Sequence, residues 1–228
     1  VATGLIVPLD VDSLEAAEIA VQRCGSIPVY KVGFQLFVRS GPDAVRMIRN
    51  TDNDVFLDLK LYDIPNTVEK GAASAAELDV LLATVHASGG PDMIAAARRG
   101  VEGSRTNILA VTVLTSFSDD AWRAVANSGE SAADTVVRLA RMSFDAGAHG
   151  IVASPHEAAA IREALGPDAL IVTPGVRPSW AGADDQARVM TPREAAEAGA
   201  DYIVCGRPIL KHEDPAEAAR LILEELSV

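Results

Sequence analysis

The sequence predicts an α/β protein, a single (β/α)8 barrel whose functional residues stand at the carboxyl ends of its strands. Three observations predict it. Eight short apolar runs alternate with longer amphipathic stretches from one end of the chain to the other. No linker, internal repeat or low-complexity segment interrupts them. The chain has 228 residues, 49% of them hydrophobic, which suits one barrel over residues 1–228 with a large buried core.

In order, the apolar runs are 4–9, 28–33, 54–59, 80–86, 108–114, 150–154, 169–173 and 201–206. Each is rich in Val, Ile and Leu and reads as a parallel strand buried on both faces. The Ala-, Glu- and Arg-rich stretches between them have helical period, clearest over 13–23, 132–146 and 215–226. Several carry start signals: Ser13 ahead of Glu15, Pro155 opening its segment, and Thr191-Pro192 ahead of Glu194. An open doubly wound sheet is the competing fold. It would place a GxGxxG turn after the first strand, and the sequence has none there.

Composition narrows the function. The net charge of −12 argues against nonspecific binding to nucleic acid or to an anionic membrane. An anionic substrate would need its own local cluster of Lys and Arg. Cys24 and Cys205, the two cysteines, lie far apart in apolar stretches and read as buried reduced thiols, without the partners of a zinc site. The opening residues 1–4 lack the basic region of a signal peptide and no apolar run reaches membrane-spanning length. The expected location is the cytoplasm.

In a barrel the chemistry sits where the strands end, and phosphate is often held after strands seven and eight. The first strand runs into Asp10, the second carries Lys31, and the third ends in Asp58-Leu59-Lys60. By strand alternation Phe56, Asp58 and Lys60 share one face, and Val55, Leu57 and Leu59 the other. The apolar face suits the helices, so Asp58 and Lys60 point into the barrel mouth. Such a pair is either a structural ion pair or a working one, and Lys31 and Asp63 nearby favour work.

After strands seven and eight come Thr173-Pro174-Gly175-Val176-Arg177 and Gly206-Arg207-Pro208. Glycine lets backbone amides approach an anion, and the planar guanidinium fits phosphate oxygens. Residues 178–190, with Trp180, Gly182, Asp184, Asp185 and Gln186, exceed the usual βα connection and read as a lid, or else as a surface loop. His86 reads as a satisfied core histidine; His149, His156 and His212 read as surface residues. Ser116 and Ser118 follow strand five as ligand contacts or turn formers.

Residues 56–68 read FLDLKLYDIPNTV, and this DxKxxDIPNTV pattern resembles the orotidine 5′-phosphate decarboxylase family over essentially the whole chain. Val113-Leu114-Thr115-Ser116, residues 173–177, Asp184-Asp185-Gln186 ahead of Val189-Met190-Thr191-Pro192, and Gly206-Arg207-Pro208 support it. The resemblance implies cofactor-free and metal-free decarboxylation of orotidylate in pyrimidine biosynthesis. It implies a charge network of Lys31, Asp58, Lys60 and Asp63, with Lys60 stabilising and protonating carbon 6 of the ring. It further implies a homodimer, in which Asp63 and Thr67 reach the neighbour's site. Asp10, Lys31 and Thr67 would hold the ribose, and Thr115 with the 116–118 turn, through either Ser116 or Ser118, the pyrimidine. Arg177, Gln186, Gly206 and Arg207 would hold the phosphate, with Ile64 and Pro174 among the substrate contacts.

Two other readings are weighed. Magnesium-dependent keto-sugar-phosphate lyases share the DxKxxD core, but they carry an acidic metal ligand where this chain has Lys31. A noncatalytic phosphate-binding barrel leaves Lys31, Asp58 and Lys60 without a purpose.

Overall fold

A computed structural model describes residues 3–126, 129–181 and 190–227. Its strands are β1 (Gly4–Pro8), β2 (Val29–Gly33), β3 (Asp54–Leu61), β4 (Leu82–His86), β5 (Asn107–Val111), β6 (Gly150–Val152), β7 (Leu170–Pro174) and β8 (Tyr202–Val204). Each pairs in parallel with the next, and β8 returns to β1, so the sheet closes into a barrel.

Helix α1 (Leu14–Cys24) follows β1, while α2 (Phe34–Ser40) and α3 (Pro42–Arg49) follow β2. Next come α4 (Pro65–Glu77), α5 (Gly90–Gly100), α6 (Asp119–Ala126), α7 (Ala132–Asp145) and α8 (Ala158–Leu165). The remainder are α9 (Pro192–Glu197), the short α10 (Arg207–Leu210) and α11 (Pro215–Leu226). None of the described helices is long and apolar enough to cross a membrane. The start signals act as their chemistry dictates. The Ser13 Oγ accepts the Ala16 amide at 3.1 Å, and Thr191 with Glu194 forms a reciprocal capping box.

Strand alternation builds two apolar layers. Ile6, Val29, Phe56, Leu82, Leu109, Val172 and Val204 point inward and fill the barrel. Their neighbours, such as Leu5, Val7, Tyr30, Val32, Val55 and Leu57, point outward and pack under the helices. Fully burying each such side chain contributes roughly 1.5–3 kcal/mol. The inward residue two positions further along a strand stands one layer higher. Val29 is followed by Lys31, Phe56 by Asp58 and Leu82 by Thr84, so an apolar floor carries a polar rim on this side.

Two ion-pair clusters lie at the amino ends of the strands. Asp54 Oδ1 accepts from Arg49 at 2.8 Å and from Arg105 at 2.7 Å. The Arg162 guanidinium donates to the carbonyls of Gly166, Ala169 and Gly199 and to Asp201 Oδ2 at 2.7–2.9 Å. Asp201 Oδ2 also accepts the Ile171 amide at 2.7 Å, which locks the entry of β7 to that of β8.

Most expected strands are trimmed at their ends, while β3 runs two residues longer, to Leu61. Residues 112–114 extend the apolar run after β5 but lie outside it. The ladder runs out there, because Val111 pairs with Val152, the last residue of β6. His149 is half-buried rather than on the surface; its Nδ1 accepts the Ile108 amide at 2.9 Å. His212 is half-buried too, edge-on to Trp180, whereas His156 is exposed. Cys24 and Cys205 are free, buried thiols, pushed up to about 11 and about 12 by burial.

Candidate active site

The carboxyl ends of the strands surround a cavity of about 410 Å³, within the roughly 300–1,000 Å³ of small-molecule sites. Phe56, Val111, Val152 and Val204 belong to its lining and rise from the apolar interior. Charged residues of β2 and β3, with Asp10 after β1, occupy one side of it, and arginines following β7 and β8 the other.

On the first side, charges alternate along a row. Asp10 Oδ1 lies 3.1 Å from Lys31 Nζ, which lies 3.7 Å from Asp58 Oδ2. The same Asp58 oxygen accepts from Lys60 Nζ at 2.8 Å. The Lys31 and Asp58 side chains are only 13% and 12% exposed, so each charge depends on its neighbours for the solvation that water no longer supplies. Gly33 leaves room for the row: a Cβ there would stand 3.0 Å from Lys31 Nζ.

Phe56, Asp58 and Lys60 all line the cavity, as strand alternation predicts, but β3 is not a regular strand there. Its register against β4 shifts between Leu57 and Leu61, and Lys60 sits in the left-handed region at φ +48°. Thr84, almost fully buried on β4, bridges the irregularity. Its Oγ1 accepts the Lys60 amide at 2.8 Å and donates to Asp58 Oδ1 at 3.0 Å. Sequence reasoning missed Thr84. The available signal was a lone hydroxyl at the inward position above Leu82.

Across the cavity, Pro174, Arg177, Gly206 and Arg207 are all present. Gly175 takes φ +81°, which favours glycine, and turns the chain after β7. The Arg177 side chain is buried, and its backbone amide donates to the Met190 carbonyl at 3.0 Å. Arg207 is exposed and opens α10 behind Gly206. A Cβ on Gly206 would stand 2.6 Å from Pro8 Cγ, so only glycine fits that approach without a shift.

Thr115 and Ser116 line the cavity, and Ser118 does not. Ser118 instead stands at the start of α6, where its Oγ accepts the Ala121 amide at 3.3 Å. Asp63, Ile64 and Thr67 lie outside the cavity and are exposed, Asp63 and Ile64 just ahead of α4 and Thr67 in its first turn. Asp63 Oδ1 accepts the Ile64 amide at 2.6 Å, and among the described residues Asp63 has no ion-pair partner. Asp184, Asp185 and Gln186, with most of the expected lid, fall outside the described residues. His86 is half-buried, edge-on to Tyr62, and absent from the cavity lining. Its pKa is held down by burial and then by the Lys60 charge, with Asp58 opposing.

A fixed carboxylate between two ammonium groups, facing two arginines across an apolar floor, can hold an anion at one end. At the other end it can stabilise negative charge and deliver a proton.

Known proteins resemble this chain in sequence and fold. The family described as orotidine 5'-phosphate decarboxylase / HUMPS matches residues 3–222. An orotidine 5'-phosphate decarboxylase of Trichlorobacter lovleyi is 48% identical over 228 residues, covering 97% of this chain and 94% of that protein. One from Anaeromyxobacter sp. (strain K) is 54% identical over 215 residues, covering 94% of each. The crystal structure of the orotidine 5'-phosphate decarboxylase from Lactobacillus acidophilus superposes with a TM-score of 0.88 at 36% identity over the full length of both chains. The chain belongs to the orotidine 5'-phosphate decarboxylase / HUMPS family.

Proposed function

We propose that residues 1–228 act as one catalytic unit that converts orotidine 5′-phosphate to uridine 5′-phosphate and carbon dioxide in pyrimidine biosynthesis. The observation that carries this reading is the row Asp10–Lys31–Asp58–Lys60 facing Arg177 and Arg207 in one cavity. In the reaction the bond from carbon 6 to the carboxylate breaks and carbon dioxide leaves. The electron pair stays on carbon 6 and takes a proton from the Lys60 ammonium, which solvent then restores. The pyrimidine ring delocalises that pair poorly, so fixed charges must stabilise it, and the reaction draws on no cofactor.

In this reading Asp10 and Lys31 hold ribose hydroxyls, and Thr115 with Ser116 meets the pyrimidine. Ser116 rather than Ser118 has this role because it lines the cavity. Arg177, Gly206 and Arg207, with Gln186, hold the phosphate, whose binding energy supports the transition state at the far end, and Pro174 is a further substrate contact. Asp63 and Thr67 serve the partner's site in a homodimer, and Ile64 is a substrate contact. In support, this segment turns outward from its own cavity, and Tyr62 and Ile64 are 62% and 65% exposed. Two buried free thiols fit the reducing cytoplasm, where we place the protein.

The magnesium-dependent lyase reading requires an acidic metal ligand at the cavity-facing position of β2. The Lys31 ammonium stands there, between two carboxylates, and would repel the metal. Loss of orotidylate absorbance, followed with and without a chelator, tests the proposal. Turnover is expected to be chelator-insensitive, and to fall in Lys60→Ala by more than the roughly 10²–10⁴ of general acid catalysis alone. The variant should still bind uridylate. No turnover of orotidylate, or turnover that the chelator abolishes, refutes the reading.

A further inference from the structure

Strand β3 is built with a surplus at its most charged point. Leu57 pairs with Ala83 and Leu61 with Val85, so residues 58, 59 and 60 stand opposite the single residue Thr84. Four steps along β3 therefore climb no further than two steps along β4. In a regular strand, residues two apart are separated by about 6.6 Å along the axis. The bulge shortens that climb and keeps Lys60 Nζ within 2.8 Å of the Asp58 carboxylate.

This geometry has two costs. Lys60 takes a left-handed backbone, φ +48°, which disfavours any residue with a Cβ. Its amide also leaves the ladder in a part-buried position where a missing partner is expensive. One hydroxyl meets both demands. Thr84 Oγ1 accepts the Lys60 amide and gives its own proton to Asp58 Oδ1. With 1% of its surface exposed and the flanking Ala83 and Val85 packed into the outer core, Thr84 is fixed in place.

We infer that Thr84 is a positioning residue: its hydroxyl ties the Asp58 carboxylate to the Lys60 backbone and so sets the aim of the Lys60 ammonium. The inference rests on the decarboxylase reading for its effect on rate, but the tie itself is a property of the fold. Valine has nearly the same shape as threonine and lacks the hydroxyl, so Thr84→Val removes both hydrogen bonds while keeping the packing.

The test compares wild type, Thr84→Val and Thr84→Ser. In Thr84→Val, kcat is expected to fall about 10- to 100-fold, as for a lost hydrogen bond to a charged group. KM and the affinity for uridylate should stay within about threefold, because the arginines that grip phosphate are untouched. Thr84→Ser keeps the hydroxyl and should recover kcat to within about threefold of wild type. Hydrogen exchange at the Lys60 amide, read by NMR, should quicken in the valine variant and stay slow in the serine one. Should Thr84→Val fail to fold, Thr84→Ala removes the same hydroxyl and is measured in the same way.

Four results would overturn the inference: kcat of the valine variant within twofold of wild type, serine as impaired as valine, uridylate affinity falling in step with kcat, or unchanged Lys60 exchange. A wild type without decarboxylase activity would defeat the functional reading instead. The Lys60 amide would still decide whether Thr84 is the clamp.

Discussion

Gly206→Ala tests whether the end of β8 positions a phosphate grip. The backbone at Gly206 has a negative φ, −111°, and the obstacle to a side chain there is the approach of Pro8. A Cβ there would stand 2.6 Å from Pro8 Cγ and 3.3 Å from Pro8 Cδ, where carbon atoms prefer about 3.5–4.0 Å. Pro8 is buried and paired to β2 through Lys31, and its ring cannot swing aside. The backbone at Gly206 must therefore move by about 1 Å and carry Arg207 with it. Overpacking of this size costs about 1–3 kcal/mol of stability, or about 2–12 °C in Tm for a chain of this length. A 1 Å misplacement of a positioning group costs up to about 10²-fold in rate. The expected outcome is a fall of about 30- to 100-fold in kcat/KM for orotidylate and only a few-fold for phosphate-free orotidine. Both are measured by absorbance at a temperature well below the variant's Tm. Equal proportional losses for the two substrates, or no loss for either, would refute the placement of phosphate at Gly206 and Arg207.

Three further outcomes follow from the same geometry. If the proposed homodimer shares its sites, Lys60→Ala and Asp63→Asn chains should each be nearly inactive, and equal mixing with confirmed exchange should restore roughly a quarter of wild-type activity, since half the dimers would rebuild one intact site. No recovery would mean that Asp63 serves its own chain. Arg162→Met removes a guanidinium that holds three carbonyls and Asp201 at the amino face. It should lower unfolding free energy by about 2–4 kcal/mol, seen in denaturant titration, while kcat at 25 °C stays within about twofold. His86 and His149 are both held below the ordinary 6.5 by burial, and then by Lys60 and Arg98 respectively. The unfolded chain therefore takes up these protons first, and stability should fall as pH drops below 6.5, with a shallower fall in His149→Gln. A urea midpoint with the same pH slope in wild type and His149→Gln would count against this.

The barrel was legible because a parallel strand buried on both faces needs a short unbroken apolar run, and eight such runs stand in order. The rim was legible for the opposite reason. Lys31 and Asp58 interrupt an inward parity that Val29 and Phe56 begin, and a charge at that parity has no place in a packed interior. What stayed hidden depends on partners that a single strand cannot reveal. The bulge in β3 leaves the parity of Asp58 and Lys60 unchanged, so alternation reads the same with or without it. Thr84 hid because threonine is an ordinary strand residue, and only its contact with β3 gives its hydroxyl a purpose. The choice between Ser116 and Ser118 fell in a loop, where period 2 no longer applies. His149 resembled a turn residue, yet its Nδ1 satisfies the Ile108 amide at the foot of β5.

Charge explains why the rim is built from linked groups. The whole chain carries −12, yet four cations and two carboxylates line the cavity, a local excess of two positive charges. An anion approaching this acidic protein is attracted at that mouth and repelled over much of the remaining surface. Within the cavity the two ends are organised differently. The β2–β3 side holds Lys31 and Lys60 against carboxylates at 2.8–3.7 Å, which fixes their positions and limits their attraction for a passing anion. The arginine side presents planar guanidinium groups, one buried and one exposed, suited to phosphate oxygens. In the proposed reading, a substrate with a phosphate at one end and a carboxylate at the other would be oriented before any chemistry begins. Reversed, it would set its phosphate against the Asp58 carboxylate and leave Lys60 without a carbon to protonate.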